Sequence, residues 1–297
     1  MRVRELMTER RNPATENMDT MSALELVTAM NREDAIVPRA IHRVLPQIAR
    51  AVDRIAQQLA KGGRLIYVGS GTSGRIGALD ASECSPTFGV DAETVQFMIA
   101  GGERALVIAS EASEDSTDSG RTDIAARKPG KRDVVVGIAA SGSTPYTVSA
   151  VQYARSRGAA TIGIACNRNS ELGRTAEIAI EVEVGPEVLT GSSRLKAGSA
   201  EKMVCNMLTT GALTRLGYVY SNLMVNMHLK NNKVLQRGIT ILELLTDADR
   251  EIATKTLEKA GMSASLALVM LKKGVSKAEA ARRLRKAKGN VRKAIED

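Results

Sequence analysis

Aromatic residues are scarce in this chain. Trp is absent, Phe occurs twice and Tyr five times, so aromatics make up 2% of the 297 residues. The core must therefore be built from aliphatic side chains, and the aromatic platforms on which single-stranded nucleic acids stack are largely missing. Histidine is also rare, because His42 and His228 are the only two. A histidine-based metal site or a Ser-His-Asp triad therefore has little support.

Cysteines and long apolar runs are few as well. Cys84, Cys166 and Cys205 are widely spaced and form no C-x-x-C pair, which argues against a disulfide framework and gives no indication of zinc. No apolar run reaches the length of about 18 residues that a membrane helix needs. The first residues carry no signal-peptide pattern. We therefore expect a cytoplasmic protein without a metal and without a membrane partner.

The net charge of +9 is unevenly distributed. Residues 250–297 hold 13 Lys and Arg against 5 Asp and Glu, a charge of +8, which leaves +1 for the other 249 residues. Basic tails occur in nucleic-acid-binding proteins. This tail has no aromatic residue, since none follows Tyr220. Solvated helix faces are the preferred explanation, and no nucleic-acid partner is predicted.

Five short apolar segments alternate with helical patterns in the middle of the chain. They are residues 64–70, 94–102, 133–141, 161–167 and 178–187. Strands that are apolar on both faces and alternate with helices are typical of a parallel sheet covered on both sides. We predict an α/β fold with a parallel five-stranded sheet sandwiched by helices.

The flanking regions have helical periodicity. Apolar residues recur at three- and four-residue spacing over residues 23–31 and 37–63, and the last 50 residues divide into three short helices at 247–260, 263–273 and 276–296. The predicted division is an N-terminal helical segment (1–55) packing on the core, a ligand-binding domain (56–245) and a small helical domain (246–297).

Three loops rich in Ser, Thr and Gly each open a predicted helix. They read GSGTSGR (69–75), ASGSTPYT (140–147) and TGSSRLKAG (190–198). In the second loop, Thr144 occupies the N-cap position and Pro145 the first helical position. In the third, Ser192 or Ser193 is expected to cap a long helix.

The N-terminus of a helix offers unpaired N–H groups and partial positive charge, which suit an anion. A single such loop is explained by ordinary capping, whereas three in one domain favour a phosphate site. The candidate phosphate ligands are Ser70, Thr72, Ser73, Ser141, Ser143 and Thr144. Candidates for completing the pocket are Ser192, Ser193 and Lys196.

The first loop also matches the G-x-G-x-x-G pattern of dinucleotide sites. Such a site needs an acidic residue about 20 residues beyond the glycines to hold the ribose. The available one, Glu103, follows two further glycines and comes nearly 30 residues after Gly74. The loop is better interpreted as a cradle for a sugar phosphate.

These loops resemble those of sugar isomerase (SIS) domains, and longer strings resemble the N-acetylmuramic acid 6-phosphate etherase family over essentially the whole chain. The end of the tail, GNVRKAI, resembles a small ubiquitin-associated-like three-helix fold. The strings that carry the family resemblance are TERRNPAT, MNREDAIV, GRLIYVGSGTSGRIGALDASECSPTFG, AGGE, EASEDS, VVVGIAASGSTPYT, TGSSRLKAGSAEKMVCNML and NLMVN.

The resemblance implies an SIS sugar-phosphate-binding catalytic domain, a homodimer with its active site near the subunit boundary, and no cofactor. It also implies a lyase reaction that converts N-acetylmuramic acid 6-phosphate to N-acetylglucosamine 6-phosphate and D-lactate. Glu83 in DASE and Glu114 in EASEDS match the two catalytic positions of the family. Glu83 is expected to be the acid, and Glu114 the base at C2. Other acids near the loops are Asp80, Glu103, Glu111 and Asp115.

Two other functions remain open. One is an SIS-type regulator that senses a sugar phosphate and uses the basic tail on nucleic acid. The other is an aldose–ketose sugar-phosphate isomerase, which also needs a base at C2 but releases no lactate.

Overall fold

The computed structural model describes residues 6–108, 113–229 and 231–297. A parallel five-stranded sheet forms its centre, as predicted. Each strand is nearly continuous in aliphatic side chains because both faces of the sheet are covered by helices. The strands are β1 (Leu65–Gly69), β2 (Val95–Ile99), β3 (Val134–Ile138), β4 (Ala160–Ala165) and β5 (Ile178–Glu181).

The strand order is β2-β1-β3-β4-β5. After β1 the chain moves to one side to form β2, and it then crosses back to form β3 on the other side of β1. The direction of winding therefore reverses between β1 and β3. Open parallel sheets bind ligands at such a switch point, outside the carboxyl ends of the strands.

Helices precede, connect and follow the strands along the chain. Their bounds are α1 (Ala23–Asp34), α2 (Ile36–His42), α3 (Leu45–Leu59), α4 (Gly71–Phe88), α5 (Thr117–Ala126), α6 (Pro145–Ser156), α7 (Glu171–Thr175), α8 (Lys196–Leu216), α9 (Asn232–Leu245), α10 (Arg250–Lys259), α11 (Ala264–Lys273), α12 (Lys277–Lys286) and α13 (Val291–Glu296).

Two predicted helices are each divided in the structure. The segment 37–63 breaks at Val44, because Pro46 in the first turn of α3 has no N–H to continue the preceding helix. The last predicted helix, 276–296, becomes α12 and α13. Asn290 caps α13 by accepting a hydrogen bond from the amide of Lys293 at 3.0 Å.

The backbone packing divides the chain into two compact units. The first comprises Met1–Ala81 and Glu93–Thr209, and it contains the sheet. The second comprises Ser82–Ala92 and Thr210–Asp297. The second unit has its own aliphatic core, to which Ile239, Leu257 and Leu268 contribute. The predicted domain boundaries at residues 55 and 245 stay predictions. In the described part of the chain, no helix combines the length and the apolar character needed to cross a bilayer.

Candidate active site

Two of the three hydroxyl-rich loops meet at the switch point of the sheet. In the parallel pairing of β1 with β3, Gly69 is opposite Ile138, and each of these residues ends its strand. The loops that start at residues 70 and 139 therefore leave the same edge of the sheet side by side. The helices that follow them, α4 and α6, both begin at this edge.

The first loop is very short because α4 begins at Gly71, one residue after Ser70. The carbonyl of Ser70 accepts the amide of Gly74 at 3.1 Å, while its hydroxyl is buried and has no hydrogen-bond partner among the described residues. Gly74 is required by close packing, since a β-carbon there would lie 2.6 Å from Cγ1 of Ile99. The first-turn amides of α4 and the Ser70 hydroxyl thus form a donor-rich cradle that suits an anion.

The second loop holds its hydroxyls in a partly different way. Thr144 is at the N-cap of α6, as predicted, but its side chain makes no capping hydrogen bond. The Ser141 hydroxyl oxygen accepts hydrogen bonds from the amide and the hydroxyl of Ser143, both at 3.2 Å. Ordinary capping therefore does not explain why a hydroxyl residue occupies this position. The Thr144 hydroxyl is available to bind a ligand.

Glu114 lies close to the start of both helices. Its carbonyl accepts the amide of Tyr146, in the first turn of α6, at 3.1 Å. Its carboxylate reaches α4, because a β-carbon on Gly71 would be 2.9 Å from Oε1 of Glu114. Gly71 also has a φ of 51°, which disfavours other residues. The structure thus brings Glu114 together with the two hydroxyl-rich loops.

Glu83 occupies a different part of α4. Its side chain is exposed, and it follows Gly71 by twelve residues of the same helix. Twelve helical residues correspond to a rise of about 18 Å. The backbone packing assigns Glu83 to the second unit of the chain.

Asp80, one turn before Glu83, has a structural role. The Tyr67 hydroxyl donates to Oδ2 of Asp80 at 2.8 Å, and Asn206 Nδ2 donates to Oδ1 at 2.7 Å. Thr209 donates to the same Oδ1 at 3.3 Å. This buried carboxylate therefore joins β1, α4 and α8.

The third loop differs from its prediction. Helix α8 begins at Lys196, after a turn that contains Ser192 and Ser193. The cap is the buried carboxylate of Glu187, which accepts the amides of Lys196 at 3.0 Å and of Ala197 at 2.9 Å. The predicted serine cap is therefore wrong, because a charged acceptor already satisfies these amides. These contacts do not test whether the two serines bind substrate, which a Ser193→Ala variant would measure.

Lys196 is buried, and its ammonium group pairs with Glu33 of α1. The same carboxylate oxygen accepts Asn12 Nδ2 at 2.8 Å. Asn12, Glu33 and Lys196 line a cavity of about 450 Å³. These residues lie in TERRNPAT, MNREDAIV and TGSSRLKAGSAEKMVCNML. Asn12 and Glu33 were missed by the sequence reasoning, although the strings that contain them carry the resemblance.

A second missed residue is Glu201 in α8. Its side chain is 1% exposed, and Oε1 accepts the hydroxyl of Ser73 at 2.8 Å. The other oxygen, Oε2, has no partner in the described part of the chain. Burial raises the pKa of Glu201 to about 8, and the hydrogen bond from Ser73 opposes this effect. Among the other acids singled out from the sequence, Glu111 lies outside the described residues.

Two family models match the chain in overlapping segments. The model described as the glucokinase regulatory protein N-terminal SIS domain matches residues 47–155, and the SIS domain model matches residues 123–211. Together they include all three hydroxyl-rich loops.

Curated relatives align over nearly the full length. An N-acetylmuramic acid 6-phosphate etherase of Actinobacillus pleuropneumoniae serotype 5b (strain L20) is 50% identical, covering 98% of this chain and 95% of the relative. The etherase of Oenococcus oeni (strain ATCC BAA-331 / PSU-1) is 49% identical over 99% of both chains. The chain belongs to the N-acetylmuramic acid 6-phosphate etherase family. Glu83, Glu114 and Glu201 are therefore residues of an etherase-family protein.

Solved structures support the fold of this etherase-family chain. A phosphoheptose isomerase from Francisella tularensis is 17% identical with a TM-score of 0.53, covering 65% of this chain and 100% of that chain. A phosphoheptose isomerase from Neisseria gonorrhoeae is 16% identical with a TM-score of 0.50, covering 65% and 100%. At these identities the likeness concerns the fold alone.

Proposed function

We propose that the protein cleaves the D-lactyl ether of N-acetylmuramic acid 6-phosphate, giving N-acetylglucosamine 6-phosphate and D-lactate. The observation that carries this proposal is the identity of 50% to a curated etherase over 98% of the chain. The geometry agrees with it, because Glu114 lies beside two loops suited to a phosphate. The reaction belongs to amino sugar catabolism in cell-wall recycling, which we place in the cytoplasm.

The phosphate of the substrate binds at the switch point of the sheet. The donors we assign to it are the first-turn amides of α4 and α6 and the hydroxyls of Ser70, Thr72, Ser73, Ser141, Ser143 and Thr144. The buried Ser70 hydroxyl supports this assignment, since a buried hydroxyl without a partner is costly. A bound phosphate oxygen would accept its hydrogen.

The chemistry requires one base and one acid. In the ring-opened sugar, C1 is an aldehyde, so the proton on C2 is acidic and the lactyl oxygen on C3 is a leaving group. A base removes the C2 proton, the C2–C3 double bond forms, and the C3–O bond breaks as an acid protonates the lactyl oxygen. Water then adds at C3 and a proton returns to C2. Positioned acids and bases each contribute about 10²- to 10⁴-fold.

We assign the base to Glu114 and the acid to Glu83. Paired carboxyl groups act on one sugar in glycosidases when they are about 5 to 9.5 Å apart. Glu114 contacts the Gly71 end of α4, from which Glu83 is separated by a rise of about 18 Å. We therefore propose a homodimer in which Glu83 of each copy serves the pocket that contains the partner's Glu114.

The direct test is release of D-lactate from N-acetylmuramic acid 6-phosphate, measured with a lactate dehydrogenase assay. Glu83→Gln and Glu114→Gln are each expected to lower turnover by at least about 10²-fold. The exposed Glu258, in the second unit, provides the control Glu258→Gln, which should have normal turnover. Conversion to an isomeric sugar phosphate without lactate would replace the proposal with an isomerase.

A mixing experiment tests the shared pocket. When the two inactive variants are unfolded together and refolded, half of the dimers should be mixed, and each mixed dimer has one intact pocket. We expect about one quarter of wild-type activity to return. If both carboxylates of a pocket come from one copy, the mixture stays as inactive as its components.

A further inference from the structure

Glu201 contacts the proposed phosphate cradle through Ser73. It is on α8, and its Oε1 is 2.8 Å from the hydroxyl oxygen of Ser73, which lies in the first turn of α4. Its second oxygen is buried and makes no hydrogen bond to any residue that the structure describes. The Ser70 hydroxyl, in the same loop, is also buried and has no partner within residues 6–108, 113–229 and 231–297. The mechanism above gives no role to this carboxyl group.

Buried acids act on the same neighbours as Glu201, and the buried cation of the same helix, Lys196, is paired with Glu33. The thiols of Cys166, after β4, and Cys205, on α8, are close enough for Glu201 to raise their pKa values, in addition to the larger effect of burial. In the same direction, the carboxyl of Glu187 raises the pKa of Cys166, and that of Asp80 raises the pKa of Cys205. Among the described residues, no ion pair includes Glu201. An ionised carboxylate is therefore poorly stabilised here, and the neutral acid is favoured.

We propose that Glu201, in its protonated form, is a positioning residue that directs the Ser73 hydroxyl toward the substrate phosphate, and that loss of its proton weakens phosphate binding. This inference rests on the proposed function only in placing the phosphate at the first loop. The inference adds the proton of the Glu201 carboxyl group to the binding site. The affinity for phosphate then depends on whether this proton is present.

The direction of one hydrogen bond explains the effect. A neutral Glu201 can donate its O–H to the Ser73 hydroxyl oxygen, so the Ser73 hydrogen is free to point at a phosphate oxygen. An ionised Glu201 can only accept, so Ser73 must donate to it and presents a lone pair to the phosphate. Ionisation also places a negative charge next to a dianion in a poorly solvated site.

The first experiment measures the dissociation constant of N-acetylglucosamine 6-phosphate by calorimetry between pH 7 and pH 9. Since the pKa of Glu201 is about 8, the wild-type dissociation constant should increase about tenfold over this range. In Glu201→Gln, the amide can donate to Ser73 but cannot titrate, so the ratio between the two pH values should be close to one. The control Glu258→Gln should keep the wild-type ratio.

A second measurement uses the wild-type protein alone. Binding at pH 8.5 should be accompanied by proton uptake, detected by comparing binding heats in buffers of different ionisation enthalpy. The ligand's own phosphate has a second pKa of about 6 and is already a dianion at this pH. Glu201→Gln should show no uptake. Three results would each overturn the inference. They are a wild-type ratio of dissociation constants near one, no proton uptake by the wild type, and the wild-type ratio in Glu201→Gln.

Inorganic phosphate, used as a second probe, separates this inference from the proposed function. In one outcome, no lactate is released at pH 7, but inorganic phosphate binds more weakly as pH rises in the wild type and not in Glu201→Gln. The etherase proposal then fails and the role of Glu201 stands. If lactate is released but binding of both probes is independent of Glu201, the etherase proposal stands and this inference fails.

Discussion

The first and third hydroxyl-rich loops have similar compositions, and each is next to a buried glutamate in the first unit of the chain. The glutamates have different partners. Glu187 accepts two amides at the start of α8. Glu201 forms a hydrogen bond with a single hydroxyl, that of Ser73, and its other oxygen has no partner among the described residues. At the first loop, Glu201 does not cap the amides of α4, and its side chain favours the protonated form. At the third loop, the carboxylate of Glu187 accepts the amides of α8.

This difference shows what composition leaves undetermined. Serine, threonine and glycine at a helix start indicate potential donors for an anion. Whether the donors are available depends on a carboxylate elsewhere in the chain, here Glu187. The comparison predicts opposite consequences for the same substitution, glutamate to glutamine, at the two positions.

The largest expected effect is on the pH dependence of stability in Glu201→Gln. The pKa of Glu201 rises from 4.5 to about 8 on folding, so between these pH values the native state holds a proton that the unfolded chain has lost. The free energy of unfolding of the wild type should therefore decrease as pH rises, by about 1.4 kcal/mol per pH unit from this group, and level off above pH 8. Glu201→Gln should lack this decrease.

Urea unfolding of both proteins at pH 5, 6, 7 and 8 measures the difference between the two slopes. Glu258→Gln is the matched control, because it removes an exposed carboxylate of the other unit. Equal slopes for wild type and Glu201→Gln would mean that Glu201 is ionised in the folded protein at neutral pH.

At the third loop the same substitution is expected to be harmful. In Glu187→Gln the side chain keeps one acceptor, but its NH₂ group faces an amide that also donates. One buried amide loses its partner, so the free energy of unfolding at pH 7 should decrease by about 1 to 3 kcal/mol. Urea unfolding at pH 7 measures this change. A variant as stable as wild type would show that the capping of α8 does not depend on the carboxylate.

The second loop should behave like the first in ligand binding. Thr144 is at the N-cap position of α6, but its hydroxyl makes no capping hydrogen bond. We expect this hydroxyl to donate to the phosphate. Thr144→Ala should increase KM about tenfold, as for loss of a hydrogen bond to a charged group, with a smaller change in kcat. Steady-state lactate release measures both constants. An unchanged KM would remove Thr144 from the phosphate site.

The smallest effect is expected at Ser193. Its carbonyl accepts the amide of Gly198 at 2.9 Å, and that bond does not involve the side chain. Ser193→Ala should leave KM within about twofold of wild type. A tenfold increase in KM would indicate that the third loop binds substrate as the first loop does.

The sheet and its ligand-binding edge could be predicted because they depend on local patterns. Continuous apolar runs identified β1 to β5, and the N-cap position of Thr144 followed from Pro145 beside it.

The partners of the buried charges could not be predicted in the same way. Lys196 pairs with Glu33, which is 163 residues away in the chain, and no local pattern specifies such a contact. Glu201 did leave a signal. It is spaced by four residues from Ala197 and Cys205 on the buried face of α8, so an acid at this position was unusual.

The carboxylate of Asp80 has a consequence that reaches beyond its own contacts. It fixes the rotation of α4 about its axis by binding Tyr67 in the sheet and Asn206 and Thr209 in α8. The orientation of the Gly71 end of the same helix, at the edge of the sheet, depends on these contacts. A substitution of Asn206, which is remote in sequence from Gly71, would therefore misalign the first turn of α4 against the loop that follows β3.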